Sequence, residues 1–439
     1  MLARRDFPPG FVFGAATSAY QIEGQSLGGA GPTHWDAFAR KPGAIADGSD
    51  AALACAHYHR YEEDLDLLRG FDAYRFSVNW ARVLPEGTGS VNARGLDFYD
   101  RLVDAMLARG LAAYATLYHW ELPQALAERG GWSRRDTAHR FADFCEIVIR
   151  RIGDRLSAVA TVNEPHCIAW LGHFEGVHAP GLRHLPTAAR AMHHVLLAHG
   201  EALARLRALG QQNLGIVLNL ADVAPAEAGA RHRDAARRHD ALLNRWFVEA
   251  LLHGRYPAPA LAGLRAHLPG GWQADMDRIS RPLDWLGVNY YTRQLIAAEP
   301  GAPWPALREV PGPLQKTAMG WEVFPEGLTR VLLRIARRHP DAPPIVVTEN
   351  GIALEDRPIG GRIDDRARCA FIARHLEALR RALDAGADIR GFFFWSLLDN
   401  YEWAQGYGKR FGLVHVDFDT MKRTAKRSMT MLQDALATH

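Results

Sequence analysis

The sequence is poor in cysteine: Cys55, Cys145, Cys167 and Cys369 are its only four, and no two form a C-x-x-C pair. Thiols scattered in this way argue against a zinc site and against a disulfide framework. No apolar run reaches the roughly 18 residues that a membrane span needs. The start, MLARRDFPPGFVFGAATS, has no apolar stretch between a basic beginning and a small-residue cleavage site, so no signal peptide is expected. An excess of one charge is also missing. Lys and Arg number 52 against 49 Asp and Glu, and no basic run is dense enough for a nucleic acid or a membrane surface. The densest basic stretches, 231–238 and 422–427, read as solvated helix faces. Together these absences lead us to expect a cytoplasmic protein whose partner is a small molecule, with no nucleic-acid and no membrane partner. Oligomeric state leaves no trace in the sequence.

Two further absences bear on the fold. No G-x-G-x-x-G follows the first apolar run, so the phosphate fingerprint of a dinucleotide fold is lacking. The glycine-rich stretch 28–31 has no strand directly before it and no P-loop lysine after it, and it reads as a surface loop. No low-complexity linker divides the chain. A single domain over residues 1–439 is therefore expected, although length alone would allow two or three.

What is present is a regular alternation. Eight short apolar runs, at 11–18, 73–80, 112–120, 158–165, 213–220, 283–291, 344–351 and 389–400, alternate with amphipathic stretches such as 96–109, 137–151, 188–209, 234–252 and 364–385. Several runs are nearly continuous in apolar and β-branched residues, as parallel strands buried on both faces are. Regular βα alternation implies a parallel sheet, and eight units predict an α/β fold closed as a single (β/α)8 TIM barrel.

Chemistry on such a barrel sits at the C-terminal ends of the strands. The first run leads into Gln21 and Glu23. The second carries Arg75 and ends at Asn79 and Trp80. The third ends at His119 and Trp120, and the fourth at Asn163 and Glu164. The fifth ends at Asn219, the sixth at Asn289, Tyr290 and Tyr291, and the seventh at Glu349 and Asn350. The eighth carries Trp395 and runs into Glu402 and Trp403. Polar groups rarely end apolar runs without a purpose. Amides and carboxylates hydrogen-bond hydroxyls in pairs, and indoles stack on C–H faces, so this mixture suits a sugar.

Glu164 and Glu349 lie on the fourth and seventh runs, on opposite sides of the predicted barrel. Covalent glycoside cleavage needs two carboxyl groups about 5–5.5 Å apart, one charged and one protonated. Arg75 and Tyr291 read as supports that keep Glu349 ionised. The charge on Glu349 is then expected to hold the proton on Glu164. A lone Glu at a strand end is more often part of a rim salt bridge than a catalyst. Two of them, in Asn-Glu-Pro and Thr-Glu-Asn-Gly settings among amides and indoles, favour the catalytic reading.

The motifs FVFGAATSAYQIEG, YRFSVNWARVLP, LYHWELPQAL, TVNEPHC, LGVNYYT, VVTENG and GFFFWSLLDNYEWAQGYGKRFGLVHVD follow one another in this order. The chain thereby resembles family 1 glycoside hydrolases, the β-glucosidase family, over essentially its whole length. The resemblance implies a retaining, exo-acting β-glucosidase, with β-galactosidase and β-fucosidase activity beside it. The substrate would be a small β-glucoside or oligosaccharide such as cellobiose, cleaved by double displacement without cofactor or metal. It implies Glu164 as acid/base and Glu349 as nucleophile. Gln21, His119, Trp120, Asn163, Glu402 and Trp403 would bind the terminal sugar, with Trp395 as its floor. Asn289 and Tyr291 would stand near the nucleophile, Trp321 on the leaving-group side, and Phe411 in the pocket wall. One departure is His166 after the Asn-Glu-Pro motif, where an aromatic is common; it is expected to affect the leaving-group side. His57 and His59, two residues apart, do not align as helix ligands for a metal.

Rival readings fare less well. A 6-phospho-β-glycosidase would place a Ser where Glu402 stands and a Tyr where Phe411 stands, leaving Lys409 alone to attract phosphate. A non-catalytic sugar-binding barrel would lack one of the two glutamates. A Schiff-base aldolase would need a strand-end lysine, and these runs have none. A transglycosylase shares every residue named.

Overall fold

The computed structural model describes residues 2–358 and 360–437. Each of the eight apolar runs contains a strand: β1 (Val12–Ala16), β2 (Ala73–Ser77), β3 (Ala112–Tyr118), β4 (Ala158–Asn163), β5 (Leu214–Asn219), β6 (Trp285–Asn289), β7 (Ile345–Asn350) and β8 (Ile389–Trp395). They close into one parallel barrel in sequential order, with β1 pairing both β2 and β8. Strands β2, β4 and β7 are buried at every position, which is why their sequences show no alternation.

Helices cover the outside. The helix Ala93–Ala108 buries Phe98, Tyr99, Leu102, Val103 and Met106 on one stripe at the spacing a helix requires. The stretches 137–151, 188–209 and 364–385 form the helices Arg135–Ile152, Leu185–Ala208 and Arg366–Asp384. The stretch 234–252 is divided into Ala230–Asp240, a wider turn at Ala241–Arg245, and Trp246–His253. No helix among the described residues is long and apolar enough to cross a membrane.

The strands stop short of the runs that contain them. After β3 and β4 the chain leaves the extended region abruptly, with Trp120 at φ +91° and Glu164 at φ +50°. Such angles are costly for residues with a side chain. They end the ladder and swing both side chains into the barrel mouth.

Two small sheets beyond the barrel were not legible. Asp222–Pro225, Arg293–Ala298 and Leu307–Val310 form one, and Val414–Val416 pairs with Arg423–Ala425 in the other. The second corrects the reading of 422–427 as a solvated helix face. Lys426 is fully buried, with Nζ 2.6 Å from both Asp356 and Asp399. The Arg423 side chain is buried against Asp64 at 2.8 Å. By contrast Arg231, Arg233 and Arg237 are exposed, as expected. Removing one member of a buried ion cluster strands the others in a low dielectric. Lys426→Met is therefore expected to destabilise the fold by about 3 kcal/mol or more. Denaturant unfolding measures it, and a loss below about 1 kcal/mol would count against the cluster's importance.

Candidate active site

The mouth of the barrel holds a cavity of about 220 Å³ whose walls include both Glu164 and Glu349. Behind it a single buried guanidinium links three further strands to β2. Arg75 donates from Nη1 to Glu349 Oε1 at 2.6 Å, from Nη2 to Asn163 Oδ1 at 2.7 Å, and from Nε to Thr116 Oγ1 at 3.1 Å. The other oxygen of Glu349 accepts from the Tyr291 hydroxyl at 2.6 Å. Glu349 thus has a cation on one oxygen and a phenol on the other.

Among the described residues Glu164 has no cation in contact. Asn289 Nδ2 donates to its Oε1 at 2.6 Å, and the Cys167 thiol donates to its Oε2 at 3.1 Å. Burial and then the nearby Glu349 charge raise the Glu164 pKa. Burial raises Glu349 too, but Arg75 and Tyr291 oppose it. The asymmetry favours the negative charge on Glu349 and the proton on Glu164. Glu402, in the same cavity, is pushed up to about 8 by burial and by Glu349. Gln21 Nε2 reaches its Oε2 at 3.3 Å.

Indoles and rings enclose these groups. His119 lies nearly parallel to Trp395 and Trp403, at 5.7 and 6.1 Å between centroids. Burial, with the Arg75 charge nearby, lowers the His119 pKa, so its ring is neutral. Trp403 packs on Tyr20, Trp35 and Trp120. Tyr291, Trp321 and Phe411 form a second aromatic cluster in the cavity wall.

A model of glycosyl hydrolase family 1 matches residues 3–439. The chain belongs to this family. A β-glucosidase of Agrobacterium sp. is 44% identical to it over 429 residues, covering 96% of this chain and 93% of the relative. A bifunctional β-D-glucosidase/β-D-fucosidase of Bifidobacterium breve is 41% identical over 462 residues, covering 99% and 98%. Among solved structures, a Thermotoga maritima family 1 glycoside hydrolase complexed with a cyclophellitol-analogue transition-state mimic superposes with a TM-score of 0.95. It is 40% identical and covers 98% of each chain.

In this family 1 chain the residues singled out from the sequence fall into two layers. His119, Trp120, Glu164, Tyr291, Trp321, Glu349, Trp395, Glu402, Trp403 and Phe411 line the cavity. Gln21, Arg75, Asn163 and Asn289 form a hydrogen-bonded layer beneath that wall, where they fix the groups above them. Trp120 donates its indole N–H to the Asn163 carbonyl at 3.0 Å, so it offers the cavity ring surface rather than a donor.

A larger cleft of about 860 Å³ adjoins the first, sharing Cys167, Leu171, Asn219, Tyr291 and Trp321 as walls. His166 lines this outer cleft, and burial lowers its pKa to about 3. Trp170, Phe174 and Trp304 add aromatic surface there. These three, together with Cys167, His178 and Met319, were not anticipated. None of them left a signal in the sequence that points to the cavity.

Proposed function

We propose that this chain is a single-domain, cytoplasmic, retaining β-glucosidase that removes one terminal, non-reducing β-D-glucosyl unit from small glucosides such as cellobiose. Glu349 attacks the anomeric carbon. Glu164 first protonates the leaving oxygen and then deprotonates the water that releases the sugar. The observation that carries this reading is the contrast between two carboxyls in one cavity. One is held by a cation and a phenol, the other by an amide and a thiol. Environments that push two titratable groups apart assign the base and the acid.

Size supports exo action. The inner cavity, walled by Trp403 and Phe411, is of the order of a single pyranose, and the wider cleft next to it has room for the leaving group. Trp395 provides a flat surface for the C–H face of the sugar. His119 and Glu402 supply polar partners for its hydroxyls, and Gln21 and Asn163 back them from beneath. Asn289 and Tyr291 hold the reacting carboxyls, and Trp321 stands where the two cavities meet. Acceptance of fucosides and galactosides accords with a carboxyl at Glu402, which serves either orientation of a 4-hydroxyl.

The phosphate-binding alternative is disfavoured. Glu402 would repel a 6-phosphate, and Lys409 already donates to the Ala318 carbonyl at 2.7 Å. Transfer to an acceptor sugar uses the same residues, and a ratio of hydrolysis to transfer products measures it. No catalytic metal or cofactor is needed for this chemistry.

Following an aryl β-glucoside by proton NMR tests the proposal. β-Glucose is expected first, with α-glucose appearing only at the rate of mutarotation. Initial release of α-glucose would exclude double displacement.

A further inference from the structure

The two oxygens of Glu164 have unequal partners. Oε1 accepts an amide N–H from Asn289 at 2.6 Å, while among the described residues Oε2 accepts only the Cys167 thiol at 3.1 Å. The thiol is itself buried, and its sulfur accepts from Asn219 Nδ2 at 3.6 Å. Cys167 reaches Glu164 because the chain turns sharply at Glu164 and enters a helical turn, in which Cys167 N donates to Glu164 O at 3.0 Å. Among neutral donors a thiol is weak. It can fix the direction of a carboxyl while doing little to hold its charge.

We propose that Cys167 is a positioning residue for the proton donor, seating Oε2 of Glu164 with a weak S–H bond so that this oxygen carries the transferable proton. The proposal rests on the reading of Glu164 as acid/base. A stronger donor at the same place would stabilise the carboxylate, and no donor would leave it less stabilised. The amide on Oε1 favours carbonyl character there, which leaves Oε2 as the site of protonation. The burial of the carboxyl and the charge of Glu349 already favour the protonated form. A thiol keeps that preference, where a hydroxyl would erode it.

Other groups also face Glu164. Glu349 approaches from β7, Arg75 from β2, Asn289 and Tyr291 from the end of β6, and Glu402 from the segment after β8. None of them changes when Cys167 is replaced, so the alkaline limb of kcat/KM against pH isolates the thiol. In Cys167→Ser the limb is expected to move to lower pH by about one unit. In Cys167→Ala it should move to higher pH by about half a unit. Opposite signs are the diagnostic result, because a general disturbance of packing would move both variants the same way.

Glu164→Gln, measured in parallel on the same substrate with a poor leaving group, separates the two claims. If its limb disappears while both Cys167 variants keep the wild-type limb, the thiol has no such role. If its limb persists, the assignment of Glu164 itself is wrong. Infrared spectroscopy of the wild-type enzyme offers a check that does not depend on how the variants fold. One S–H band should lie at low frequency and change as pH crosses the limb. Thiol bands indifferent to pH would overturn the proposal.

Discussion

Glu349→Gly is expected to lose at least about 10⁴-fold in kcat on any β-glucoside, and to regain a measurable part of it in formate. Removing a nucleophile that forms a covalent intermediate leaves only binding and acid assistance, and such losses run to several orders of magnitude. Rescue follows from what surrounds the vacated space. The Arg75 guanidinium and the Tyr291 hydroxyl, each 2.6 Å from a Glu349 oxygen, remain as a cation and a donor without their anion. A carboxylate of formate size satisfies both. Arg75 also keeps its contacts with Asn163, Thr116 and the Thr348 carbonyl, so the barrel should still fold. Attack by formate is a single displacement on the face that Glu349 occupied, so the first product should have the α configuration. A variant with undiminished activity, or a rescued product of β configuration, would remove Glu349 from the nucleophile role. The same change tests the electrostatic coupling. Without the Glu349 charge, the Glu164 pKa should fall by about 1 to 2 units. Titration of Glu164 in Glu349→Gln by NMR reads this, and an unmoved value would refute the proposed cycling of the proton.

The barrel was legible because its strands are buried on both faces and its helices on one, so each period is written locally. The rim was legible for a similar reason. Polar residues at the end of an apolar run stand out, as His119, Asn163, Glu164, Asn289, Tyr291 and Glu349 do, and so does a charge such as Arg75 within one. Glu402 and Trp403 were read from the end of the eighth run, whereas Phe411 lies further on and only the family resemblance placed it in the pocket wall. What failed was whatever depends on distant partners. Arg423 reads as one of a basic run because its carboxylate, Asp64, lies 359 positions away. Lys426 lies 70 positions from Asp356, and burial inverts the meaning of its charge. The outer cleft is built from segments after β4, β5 and β6, and no single stretch of sequence describes its wall. A lone cysteine in an apolar stretch reads as core, and Cys167 acquires meaning only from the oxygen it touches.

Glu164→Gln should separate the two steps that a single residue is proposed to serve. The amide cannot give up a proton to the leaving oxygen, so glucosides with poor leaving groups should slow by about 10²- to 10⁴-fold. A dinitrophenyl leaving group needs no proton, and its departure should proceed almost as in the wild type. Release of the sugar then becomes limiting, because no carboxylate activates the incoming water. Both kcat and KM should fall for that substrate as the glycosyl-enzyme accumulates, with a burst of dinitrophenol before the steady state. Azide needs no base and should accelerate turnover, yielding β-glucosyl azide. The configuration is opposite to that of the formate adduct of Glu349→Gly, because azide meets an α-linked intermediate and formate meets the β-linked substrate. The pH profile completes the test. In the wild type, activity is lost as pH rises through the elevated pKa of Glu164, because the proton needed for the leaving group is gone. It is lost at low pH as Glu349 takes up a proton. With Gln at position 164 the alkaline limb should vanish for a poor leaving group that shows it in the wild type, while the acid limb stays. Equal slowing of good and poor leaving groups, with no response to azide, would show that Glu164 supports the site without moving a proton.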